Sequence, residues 1–138
     1  MRVYVGTTLS ALRRARDTGV VGPAPLDARA VTPSLREAYA VGDTEELEYV
    51  ALSHAAADSL ALLAADADAP RRRVVVTVEA PEDAVSVVPD AGSAVLVETT
   101  LSLTEVAAIH VDDPAVDLTD AEGWELMWFA TQELDALL

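Results

Sequence analysis

Apolar and polar residues alternate at the start of the chain, where Val3 and Val5 flank Tyr4 in RVYVG. That period of two predicts a strand over residues 2–6. The pattern then changes to a helical one. Thr8 is placed to cap a helix that carries Leu9, Leu12 and Ala15 on one face, and Gly19 ends it. After the GPAP loop, LDARAVT predicts a second strand over 26–32. Thr32 and Pro33 then read as N-cap and first position of a short helix to Ala40.

Gly42 interrupts the chain, and Asp43 with Glu46 has the spacing of a capping box. The long run behind it is the most apolar helix predicted. It carries Leu47, Val50, Ala51, Ala57 and Ala61 on one side, a face that Leu52, Ala56, Leu60 and Leu63 extend. RRRVVVTVEAP is apolar at nearly every position past its arginines, as an interior strand is. AVSVVP and SAVLVETT predict a hairpin about PDAGS. Ser102 and Glu105 repeat the capping-box spacing, and AAIHVDD follows as a strand. Thr119 and Glu122 predict the start of a final helix reaching Leu138, with Trp124, Met127, Trp128, Leu134 and Leu137 along one face. No repeat or long linker divides the chain. Residues 1–138 are therefore expected to form a single α+β domain, a mixed β-sheet with helices packed mainly on one face.

Composition narrows the functional classes. Nine basic residues, all arginine, face 24 acidic ones, for a net charge of −15. Lysine and asparagine are missing, and Ile109 and Phe129 are single occurrences of their types, a bias that a GC-rich coding sequence produces. The net field repels phosphate, so neither nucleic acid nor an anionic membrane is an expected partner. No apolar run approaches the roughly 20 residues of a membrane span. Met1 leads straight into a strand without a secretory pattern, which gives a cytoplasmic expectation. With no cysteine there is no disulfide, thiolate metal site or cysteine nucleophile.

Four groups of residues are candidates for function. Gly6 and Thr7 form the turn into the first helix, but a phosphate-binding loop needs more glycines than this one has. The stretch VYVGTTLSALRRARDTGVVGP resembles the first strand–helix unit of ADP-ribosyltransferase-like domains through Tyr4, Gly6, Thr7, Gly19 and Pro23. The resemblance implies an NAD or nucleotide site that would include Tyr4, Gly6, Thr7 and Tyr39. Valine replaces the family's ribose-holding histidine at position 5, which makes any such domain a degenerate one. His110 precedes Asp112 and Asp113, a weak metal-ligand set that would suit a small metal-dependent hydrolase. Trp124, Trp128 and Gln132 are candidates for partner binding, since exposed aromatic residues anchor interfaces. Arg71–Arg73 are expected to pair with nearby acids or to mark an exposed edge.

AVTPSLREAYA, EELEYVALSHAAADSL, APRRRVVV, AAIHVDD and MWFATQEL together resemble an uncharacterised family of small actinobacterial proteins, a domain of unknown function. That resemblance implies no activity. The favoured expectation is a non-catalytic interaction or regulatory module, binding a protein partner or forming a homodimer, with no cofactor.

Overall fold

The computed structural model describes residues 1–40, 42–121 and 125–138. The chain runs β1 (Arg2–Thr7), α1 (Leu9–Thr18), β2 (Val20–Val21), β3 (Leu26–Arg29), α2 (Pro33–Ala38) and α3 (Thr44–Ala65). It continues through β4 (Val74–Glu79), β5 (Val85–Val87), β6 (Ala94–Val97), β7 (Leu101–Ser102), β8 (Val106–Val111), β9 (Met127–Phe129) and α4 (Leu134–Leu137). Seven strands form one sheet in the order β5-β6-β3-β1-β4-β8-β9, and β2 with β7 forms a small second ribbon. The fold is α+β. Every pairing among the described residues is antiparallel, where the sequence pattern left the sheet mixed. β3 and β4 do run in the same direction, but β1 lies between them, so the α2–α3 crossover spans an antiparallel neighbour.

The pleat sorts side chains onto two cores. Val3, Val5, Val74, Val76, Val78, Ile109 and Val111 pack with Leu9, Leu12 and Ala15 of α1 and Leu134 of α4. Tyr4 and Val75 point to the other face, under Leu35 of α2 and Leu47, Ala51 and Ala55 of α3. The caps expected from sequence are present. Thr8, Thr32 and Asp43 each accept a backbone N–H from the first turn of their helices. Gly19 takes the left-handed conformation that ends α1.

α3 crosses β3, β1 and β4. Its buried residues fall largely on a period of four: Leu47, Ala51, Ala55, Ser59 and Leu63. Ala57 and Ala61, expected on that stripe, are exposed. Alanine is so frequent in this helix that the apolar pattern marks no single face. The small residues at the centre bring the helix axis close to the sheet. Ser59 then knits the strand ends beneath it, its hydroxyl donating to the Thr7 carbonyl at 2.6 Å and accepting from Val74 N–H at 2.9 Å.

The C-terminal helix expected over 119–138 is not formed. Asp117, not Thr119, caps a 3-10 turn at Leu118–Asp120. Met127–Phe129 is then a strand paired to β8, and among the described residues of this segment only Leu134–Leu137 is α-helical. Trp124, expected on one helical face with Trp128, lies outside the described residues. Pairing decides the outcome. Phe129 reaches the α1-side core while Trp128 turns to the opposite face, an alternation a strand provides and a continuous helix does not. The strand expected over 26–32 is also shorter, because Thr32 is used as the cap of α2.

Candidate functional site

Because α3 covers only part of its face, the β8–β9 side of the sheet remains open beside it. A groove of about 350 Å³ lies there. Its floor is a cross-strand row of Tyr4 on β1, Thr77 on β4, Ala108 and His110 on β8, and Trp128 on β9. Register sets the row, since Tyr4 lies opposite Thr77, Thr77 opposite Ala108, and His110 opposite Trp128. Glu48, Tyr49 and Leu52 of α3 form one wall, and Arg2 stands at the end. Trp128 is 62% exposed and Tyr49 57% exposed, both unusual for large aromatic side chains.

The polar groups of the groove are linked. The Tyr4 hydroxyl donates to Glu48 Oε2 at 3.0 Å, and Arg2 donates to the same oxygen at 3.4 Å and to Glu79 Oε1 at 3.0 Å. Burial, with the Glu48 carboxylate beside it, raises the Tyr4 hydroxyl pKa well beyond that of an ordinary tyrosine, so it remains a donor. His110 Nε2 lies 2.9 Å from Thr77 Oγ1. Burial lowers the His110 pKa and favours the neutral ring.

Residues singled out from sequence for three different reasons thus divide between one site and several others. Tyr4, His110 and Trp128 meet in the groove. Asp112 does not line it: fully buried, it receives Arg73 Nε at 2.8 Å on Oδ2 and Nη2 at 2.9 Å on Oδ1. Of Arg71–Arg73, Arg73 thus makes the expected pairing with an acid, which commits Asp112 to the core, while Arg71 and Arg72 donate to backbone carbonyls. Asp113 accepts the Ala115 N–H in a turn at the surface. No group of three or more potential metal ligands occurs among the described residues.

Gly6 lines a separate cavity of about 340 Å³ with Arg29 and Asp58. Its missing side chain makes room for α3, because a Cβ there would lie 2.3 Å from the Ala55 carbonyl oxygen. Thr7 is nearly buried, its carbonyl held by Ser59. Tyr39 is 46% exposed at the end of α2, and none of the described cavities joins it to Tyr4, Gly6 or Thr7. Gln132 is exposed in a 3-10 turn, Thr131–Glu133, beyond β9. Next to it, Thr131 donates to the Val106 carbonyl at 2.8 Å and ties this turn to β8.

Sequence reasoning passed over Arg2, Glu48, Tyr49 and Thr77. One signal was present for Tyr49, an aromatic residue two positions from Leu47 in a helix whose buried stripe is small and aliphatic. It also passed over a Ser–His contact in which His54 Nδ1 lies 2.6 Å from Ser93 Oγ. Ser93 is completely buried and within 3.5 Å of Arg29 Nη1, while Asp58 is held by Arg29 through both oxygens. A substrate has no route to that hydroxyl. The cluster joins β3, α3 and the β5–β6 turn.

Burial lowers the pKa of both histidines, with Arg29 adding to the effect at His54. Below the ordinary value of 6.5 the unfolded chain therefore binds protons that the folded one resists. Stability should be fully present above that pH and fall as the pH drops through it toward the lowered values. A His54→Asn, His110→Gln double variant keeps both hydrogen-bonding positions without a titrating ring. Its urea midpoint should vary less between about pH 7 and about pH 5 than that of the parent; equal slopes would contradict the assignment.

No helix of the described residues is long and apolar enough to cross a membrane. No curated protein and no solved structure matches the chain. The agreement lies at the level of family: the model of DUF6912, a family of unknown function, matches residues 1–138, and the chain belongs to that family.

Proposed function

We propose that this protein is a non-catalytic interaction module of the cytoplasm, and that the groove beside α3 is its recognition surface. The observation that carries this reading is the pair of exposed aromatic residues, Trp128 and Tyr49, entering one groove from a strand and a helix. Leaving both in water forgoes the burial that aromatic side chains contribute elsewhere in a fold, and such residues are typical anchors of interfaces. The polar floor supports the same reading. The Tyr4 hydroxyl is held by Glu48, and His110 and Thr77 satisfy each other, which fits a fixed binding surface better than a reacting centre. β9 lies at the sheet edge, so an extended segment of a partner could also run alongside it.

The test separates binding from folding. Trp128→Ala should change stability by less than about 1 kcal/mol, the range of an exposed cross-strand pair. A random peptide library panned against the wild-type protein should yield binders that lose at least about tenfold in affinity for Trp128→Ala, equal to about 1.4 kcal/mol. Binders indifferent to Trp128, or no enrichment at all, would overturn the reading. So would a rise in melting temperature with NAD or a divalent metal that Trp128→Ala retains.

A further inference from the structure

We infer that the groove takes a cationic head group, the ammonium or guanidinium of a lysine or arginine side chain from a basic segment of a partner protein. The inference rests on the groove being the recognition surface proposed above and names the chemistry of its occupant. Three observations carry it.

The first is the aromatic lining. Trp128 and Tyr49 enter the same cavity, and indole and phenol rings attract cations through their quadrupoles as well as burying the aliphatic stem behind the charge.

The second is the state of Glu48. Tyr4 and Arg2 both donate to its Oε2, whereas Oε1 has no hydrogen-bond partner among the described residues. The Glu48 side chain is 30% exposed, partly withdrawn from water yet still accessible. An incoming N–H donor would complete it. Arg2 does not neutralise the end of the groove, because Glu48 and Glu79 share its single charge. These three side chains together carry one net negative charge.

The third is charge on the larger scale. A net charge of −15 draws cations toward the surface and repels anions. Along the floor, burial keeps His110 neutral and Thr77 is uncharged, so no second cation opposes the incoming one. An anion would meet Glu48 and the net field together. A purely apolar group would strip water from the Glu48 carboxylate and offer no donor in return.

The experiment uses three small probes on the intact protein: N-acetyl-lysine methylamide, N-acetyl-arginine methylamide and N-acetyl-norleucine methylamide, the last matching the lysine stem without its charge. The Trp128 indole N–H resonance, assigned by its loss in Trp128→Phe, is followed through each titration. The lysine or arginine probe should shift that signal saturably, the norleucine probe should bind at least about fivefold more weakly, and added salt should weaken the charged probes. Glu48→Gln retains an acceptor for Tyr4 and removes the charge; it should weaken the charged probes about fivefold and leave the norleucine probe unchanged. Norleucine binding as well as lysine, Glu48→Gln binding lysine like wild type, or no probe binding at all would each overturn the cationic assignment. The recognition surface itself would still stand if Trp128-dependent peptides had emerged from the panning, and their composition would then show what replaces the cation.

Discussion

Asp112→Ala should lower the free energy of unfolding by about 3–5 kcal/mol, the cost of removing one partner from a buried ion pair. Asp112 is fully buried and Arg73 nearly so. The carboxylate takes two guanidinium contacts, and its Oδ2 also accepts the backbone N–H of Arg73 at 2.9 Å. The backbone is tied at the same point, with Asp112 N–H donating to the Arg73 carbonyl at 3.0 Å and Arg72 Nε to the Asp112 carbonyl at 2.8 Å. Removing the carboxylate therefore takes two hydrogen bonds from a buried guanidinium and one from a buried backbone N–H, and loosens the junction where β4 begins and β8 ends. A domain with a typical 5–15 kcal/mol of stability would lose a large share of it. Urea denaturation of wild type and variant measures the difference. A loss below about 1 kcal/mol would mean that water reaches the pair.

The same pair shows where the sequence was readable. That an arginine of Arg71–Arg73 would meet an acid followed from their place ahead of an apolar strand in a strongly acidic chain. Which arginine and which acid did not, because Asp112 lies 39 residues away from Arg73 and only the β4–β8 register brings the two together. Caps were legible for a related reason. Thr8, Thr32, Asp43 and Ser102 act on N–H groups within three residues, so local sequence holds the whole interaction. The C-terminal segment was misread because its decisive interaction is remote. MWF has both the spacing of an amphipathic turn and the composition of a strand, and β8, rather than the segment itself, makes the choice. The candidate site has the same character. Tyr4, Glu48, Thr77, His110 and Trp128 come from five elements, and no spacing along the chain announces them as a group. Trp128 could be recognised as a possible anchor, whereas its neighbour His110 was read with Asp112, which the fold turns away into the core.

Gly6→Ala should cost at least about 3 kcal/mol, at or beyond the upper end of the usual penalty for overpacking. The added Cβ would lie 2.3 Å from the Ala55 carbonyl oxygen, 2.8 Å from Ser59 N and 2.9 Å from Asp58 Cβ. Two of these atoms belong to the α3 backbone, so no change of rotamer relieves the clash and the helix must move off β1. That movement would also open the Ser59 bridge between Thr7 and Val74, and it would disturb the α3 wall of the groove that holds Glu48 and Tyr49. Gly19→Ala is the control. Nothing lies within 4 Å of its added Cβ, and its φ of 80° exacts only a conformational penalty, about 1–2 kcal/mol. Denaturant midpoints for the two variants should therefore differ clearly, with Gly6→Ala the lower. The reverse order would show that α3 yields easily to the added methyl group. The result also bears on the opening turn, where a glycine before Thr7 invites a nucleotide-binding interpretation. If Gly6→Ala unfolds the protein as readily as the contact distances require, the glycine is explained by helix packing, and it need not be held in reserve for a ligand.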